Sequence, residues 1–105
     1  MSLDNFFEQS DEDEIKSKIR QRRSQMLVHS YAYYIRDLSL VSDEKWQQWA
    51  NELRDLQQQN PQCCKIDFFD KVFKDWNGDT GFHLPFHDPW VKRKAEYIIR
   101  IWKDE

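Results

Sequence analysis

The chain has no apolar run near the roughly 20 residues that a membrane-spanning helix needs, so no membrane span is expected. It also lacks the basic start and apolar stretch of a secretory leader. Residues 1–14 carry Asp4, Glu8, Asp11, Glu12, Asp13 and Glu14 with no basic residue, and Phe6-Phe7 is their only adjacent bulky apolar pair. Cysteine is nearly absent: Cys63 and Cys64 are the only two, and they are neighbours. Adjacent residues rarely meet disulfide geometry, so free thiols and a reducing cytoplasm are expected. A surplus of positive charge is missing too, since the net charge is -3. This argues against a protein whose main task is to coat nucleic acid. Glycine occurs twice, at Gly78 and Gly81, both inside one short stretch.

What remains is aromatic and charged. With 105 residues the chain makes one domain, 1–105, that buries roughly two-thirds of its unfolded surface. Aromatics form 15% of it and include five Trp, enough bulk for a core, while 33% is charged and stays solvated. The first ten residues are expected to be a flexible acidic N-terminus.

The pattern predicts an all-α fold. Ser10 can cap a helix whose first turn is acidic, and Glu12–Lys16 and Glu14–Lys18 pair one turn apart in the favourable order. Ile15, Ile19, Met26, Ser30 and Tyr33 recur at helical spacing, which predicts one long helix over 11–36. Residues 37–42 read as an extended connection. Ser42 then caps a second helix over 43–59, with Trp46, Trp49, Ala50, Leu53 and Leu56 as its apolar stripe and Asn60-Pro61 as its stop. The two make a helical hairpin. A loop-rich connection follows, in which Asp67 is expected to cap a short helix carrying Phe68, Phe69, Val72 and Phe73. Asn77-Gly78-Asp79-Thr80-Gly81 must turn. Asp88-Pro89 starts a C-terminal helix over 89–103 with Val91, Ala95, Ile98, Ile99 and Trp102 on one side.

One end of the hairpin gathers chemistry. Tyr31, Tyr33 and Tyr34 cannot all face the core of one helix, so at least one phenol points toward the connection. Asp43 and Trp46 share a face in the second helix's first turn. Aromatic rings, a carboxylate and a helix N-terminus there could stack a flat heterocycle, bind an amide or ribose hydroxyl, and receive a phosphate. An aromatic core with an ordinary acidic helix start accounts for the same residues.

Tyr31-Ala32-Tyr33-Tyr34, Asp37, Ser42-Asp43, Trp46, Glu52-Leu53, Leu56 and Pro61 together resemble the helical segment at the N-terminus of bacterial NAD-dependent DNA ligases. The pattern there is roughly Tyr-x-Tyr-(Tyr/His)-x-x-Asp, an Ile/Val-x-Asp-x-x-Tyr-Asp turn, then Glu-Leu-x-x-Leu and a Pro. The resemblance covers residues 19–62 in register without a gap. It implies that Tyr33, Tyr34, Asp43 and Trp46 contact the nicotinamide mononucleotide (NMN) half of NAD. Gln47 stands where the family has a second Asp, and the loss of that charged acceptor implies weak binding of NMN or NAD. Ser39 stands where many ligases have proline. The stretch from Phe73 to Phe82, with Leu84-Pro85, resembles small ligase-related phage and prophage proteins.

Catalysis is not expected. Adenylation in the ligases needs a lysine in a Lys-x-Asp-Gly string, and none exists; the run Lys74-Asp75-Trp76-Asn77-Gly78 has the wrong order. The resemblance therefore implies a non-catalytic accessory protein that contacts a nicotinamide nucleotide or a protein partner, such as a ligase or another DNA-metabolism protein. Two other classes stay open: a protein-interaction or homo-oligomerisation module whose aromatics are all core, and a DNA-binding protein using Arg20, Arg22 and Arg23. Those arginines, with Lys16 and Lys18, spread over more than half the helix circumference. No metal is expected. His83, His87, Cys63 and Cys64 lack the ligand spacing of a zinc site, and Asp75, Asn77 and Asp79 lack the rest of a calcium loop.

Overall fold

The structure, a computed structural model, describes residues 3–104, with side chains described from 11 to 103. It is all-helical: α1 (Leu3–Arg36), α2 (Asp43–Gln59), a short 3-10 turn (Pro61–Cys63) and α3 (Pro89–Asp104). The hairpin and the C-terminal helix stand where the sequence predicts them. α1, however, starts at Leu3, well before residue 11, so Ser10 lies inside a helix rather than capping one. No breaker interrupts Leu3–Ser10, and its backbone simply continues the helical run. The expected flexible N-terminus concerns side chains that lie outside the described residues.

α1 is the axis of the molecule, since 34 helical residues span about 51 Å. Its buried face is wide because partners flank it on two sides. Ile19, Met26, Leu27, Ala32 and Tyr31 are buried against α2, α3 and the connecting loops. Tyr33, expected on the apolar stripe, instead faces solvent. α1 ends where Asp37 adopts a left-handed backbone (φ 53°), and the Leu38 N–H closes back on the Ala32 carbonyl at 2.8 Å.

Ser42 caps α2 as expected: its Oγ accepts from the Lys45 N–H at 3.1 Å. α2 runs antiparallel to α1, as the ion pair Arg22–Glu52 and the bond from Trp46 Nε1 to Ser30 Oγ show. Ala50 and Leu53 are its fully buried residues. Losing Leu53 to alanine would cost about 2–5 kcal/mol.

The connection from 64 to 88 departs from expectation at its start. No helix forms over 67–73, because Asp67 and Phe69 both take left-handed backbone (φ 55° each). Asp70, not Asp67, organises the turn by accepting from the N–H groups of Ile66, Asp67 and Phe68. The reason lies beneath it. Arg23 is 1% exposed, and its guanidinium donates to the Asp70 carboxylate, the Phe68 and Cys64 carbonyls and the Gln57 amide oxygen. A buried cation needs every donor satisfied, so the loop wraps around it.

α3 begins as predicted, with Asp88 Oδ1 accepting from the Trp90 and Val91 N–H groups. Val91, Ala95 and Ile99 enter the core, and Glu96 ties α3 to Tyr31 and Arg36 of α1. Trp102 was expected on the buried side but is 45% exposed.

Candidate functional site

The cleft sits at the hairpin mouth, and four segments shape it. The last turns of α1 bring His29, Tyr33 and Tyr34. The connection brings Ser39 to Val41, and the first turns of α2 bring Asp43, Trp46 and Gln47. The cleft encloses about 270 Å³, near the lower end of small-molecule sites, which suits part of a dinucleotide better than the whole. All four residues picked from the sequence, Tyr33, Tyr34, Asp43 and Trp46, line it.

The rings hold one another in place. Tyr33 and Tyr34 meet edge to face at 5.0 Å between centroids, and Tyr34 also packs on Phe82 and Phe86. Trp46 is half-buried; its indole N–H is engaged by Ser30, and its ring meets Trp76 edge to face at 6.4 Å. Its N–H is therefore committed to Ser30.

The far wall is a loop that the resemblance to the ligase segment, residues 19–62, does not reach. Asn77 Oδ1 accepts from the Asp79 N–H at 3.0 Å, and Gly78 turns the backbone with φ 84°. Trp76 Nε1 donates to the Ala50 carbonyl at 3.0 Å, Gln47 Nε2 donates to the Gly78 carbonyl at 2.9 Å, and Tyr34 and Thr80 hydroxyls meet at 3.4 Å. Gly81 passes so close to α1 that a Cβ there would lie 2.2 Å from Ser30 Oγ. Strapped down in this way, the loop delivers Asp79 and Thr80 to the cleft. Gln47, the departure from the family pattern, spends its amide on this strap.

His29 completes the inner wall. Its Nδ1 is buried without a hydrogen-bond partner, its ring lies 5.2 Å from that of Trp49, and burial holds its pKa below the ordinary histidine value. Sequence pattern alone does not single out His29, Asp79 or Thr80. Only the sharp turn of Asn77–Gly81 signalled that the chain reverses there.

Residues 12–68 match the family model of the DNA ligase-like, N-terminal NAD+-binding domain. The chain belongs to this family. It is 37% identical over 54 residues to a DNA ligase of Syntrophomonas wolfei, covering 51% of this chain and 8% of the ligase. A DNA ligase of Bacteroides fragilis is 38% identical over 48 residues, or 46% of this chain and 7% of the ligase. The chain thus matches less than a tenth of the length of these curated relatives. No solved structure matches it.

The ligase-like segment also contains the basic cluster, and the structure separates its members. Arg23 is a core residue and cannot reach a surface ligand. Arg22 is bound to Glu52 and Gln25, and Arg20 lies 4.0 Å over the Phe68 ring. Arg20, Arg22 and Arg23 therefore form no common exposed patch. Cys63 and Cys64 are free thiols whose pKa values burial raises. His83 lies against Trp76, and His87 is exposed. Among the described residues, no three His, Cys, Asp or Glu side chains converge to hold a metal ion. No described helix is long and apolar enough to cross a membrane.

Proposed function

We propose that this ligase-like domain is a phage- or prophage-type accessory protein that binds the NMN half of a nicotinamide nucleotide without catalysing a reaction on it. The observation that carries the reading is the convergence of Tyr33, Tyr34, Asp43 and Trp46 on one cleft of fragment size, in a family described as NAD+-binding. The tyrosine and tryptophan rings flank the nicotinamide, and Asp43 accepts from ribose hydroxyls. The non-catalytic part rests on the sequence, which holds no Lys-x-Asp-Gly string. Sealing DNA belongs to the full-length relatives.

Titration with NMN and NAD, followed by tryptophan fluorescence, tests this. The Tyr34→Phe, Asp43→Asn double variant should fold normally and bind about tenfold more weakly. Equal affinity in the variant would assign these residues to scaffold alone.

A second reading has its own observation. α3 exposes Tyr97 (52%), Ile101 (41%) and Trp102 (45%), all outside the family match, as a face for a protein partner or a second copy. Light scattering of the wild type and of Trp102→Ala checks the self-association version.

A further inference from the structure

We propose that the exposed face of α3 receives the acidic start of α1 from a second copy of this chain, so that copies associate head to tail. This rests on the second reading above and names the segment that covers the face.

The chain sorts its charges by position. Residues 4–14 hold six acids and no base, whereas the run from Lys92 to Lys103 holds five bases and one acid, Glu96. Glu96 is taken by Tyr31 and Arg36 of its own chain. Lys92, Arg93, Lys94, Arg100 and Lys103 are all exposed, and no described ion pair engages any of them. At the other end, Asp11, Glu12, Asp13 and Glu14 are exposed, and no described ion pair engages them either. Apolar groups accompany both signs. Tyr97, Ile101 and Trp102 stand exposed among the bases, and Leu3, Phe6 and Phe7 recur at helical spacing among the acids. Opposite charge steers the two segments together, and burial of the apolar groups holds them.

The fold keeps the two ends of one molecule apart. Arg20 lies over the Phe68 ring, which meets Trp90 at the start of α3, while Tyr31 and Arg36 hold Glu96 further along. α3 therefore runs in the same direction as α1, and its Tyr97 to Trp102 stretch lies near the end of α1, not its start. From Glu14 to Tyr31 the helix measures about 25 Å. The acidic start cannot reach its own α3 end without breaking α1, so a second copy must supply it. A nucleic acid also carries the right charge for the bases, but a chain of net charge -3 opposes its approach. Because the two contact surfaces differ, each bound pair keeps one of each unfilled, and growth continues into chains or rings.

Sedimentation velocity of the full chain across concentrations and at two salt levels tests this. The wild type should shift toward larger species as concentration rises and return to monomer in high salt. The variant Arg93→Gln, Arg100→Gln, Lys103→Gln removes the basic half, and the variant Asp4→Asn, Glu8→Gln, Asp11→Asn, Glu12→Gln removes the acidic half. Each should keep the helical circular dichroism of the wild type and sediment as a monomer where the wild type associates. Mixed together, the two should form a pair of one each that grows no further, since one contact alone is intact. Association that survives neutralising the acids would overturn the occupant named here and leave self-association through α3 standing. A mixture that stays monomeric would overturn the head-to-tail contact. A wild type monomeric throughout would overturn this inference and the self-association version together, leaving the face to a different protein partner. Salt-sensitive binding of a duplex oligonucleotide by that monomer, lost in the α3 variant, would assign the face to nucleic acid instead.

Discussion

The side-chain amide of Gln47 donates to the Gly78 carbonyl oxygen over 2.9 Å, joining the first turns of α2 to the loop that closes the cleft. The same nitrogen also lies 3.0 Å from Asn51 Oδ1, so the side chain is held along its helix while it reaches the loop. Gln47→Asp would restore the residue of the family pattern, yet it removes the donor and sets a carboxylate against a carbonyl. The variant should lose about 1 kcal/mol or more and open the loop. Hydrogen exchange of the 78–82 amides should quicken while the amides of α2 beyond its first turns stay protected.

Gly81 allows the close approach of loop and helix. In Gly81→Ala the new methyl would sit 2.2 Å from Ser30 Oγ and 2.9 Å from its Cβ, both impossible contacts. Either the loop or Ser30 must move, at a cost of about 1–3 kcal/mol. Because Ser30 also holds the indole of Trp46, the Trp46 N–H resonance should shift in this variant.

Arg23 and Asp70 divide a structural task. Arg23 is 1% exposed while Asp70 keeps 29% of its side-chain surface. Removing the buried partner, as in Arg23→Ala, should cost about 3–5 kcal/mol by urea unfolding, from lost hydrogen bonds and an unfilled core. Asp70→Asn should cost less, about 1–3 kcal/mol, since the buried guanidinium keeps its bonds to Gln57, Phe68 and Cys64 and an amide oxygen still stands at residue 70. If both variants were as stable as wild type, the buried guanidinium would not be what shapes the 64–73 loop.

Stability should rise with pH across the acid range in two steps. Burial pushes the Asp70 carboxyl up, but the bond from Arg23 and three backbone N–H groups outweigh it and hold it below the ordinary value. The Arg36 bond lowers Glu96, and the Arg22 bond lowers Glu52. Carboxyls lowered in the fold contribute fully above their unfolded values, about 4, and lose that contribution as pH falls below it. His29 is also lowered, by burial, so its contribution is complete above about pH 6.5 and is lost as pH falls through the folded-state value. Urea midpoints measured against pH should show both steps, and His29→Leu should abolish only the upper one.

The helices were legible because their signals are local. Ser42, Asn60-Pro61 and Asp88-Pro89 mark ends that the structure keeps, and the period of Ala50 and Leu53 marks the buried side of α2. The four cleft residues came from the resemblance to the ligase segment, and they share one cleft because all lie within the contiguous hairpin. The rest depends on contacts distant in sequence. Nothing near Arg23 signals that Gln57, Phe68 and Asp70 will surround it, so it read as surface charge, and the turn it organises read as a helix. Asp79 and Thr80 reach the cleft through bonds to Tyr34 and Gln47 that no periodicity encodes.

The central claim is that the hairpin mouth holds the nicotinamide half of a nucleotide, and one NMR titration of the labelled full chain with NMN tests it most directly. The account predicts saturable shifts that include the Trp46 indole N–H, the Tyr33 and Tyr34 amides and the amides of Gly78 to Gly81. Resonances of Arg23 and Asp70, which do not line the cleft, should stay in place. A spectrum unchanged at millimolar NMN, or shifts confined to residues away from the cleft, would contradict it.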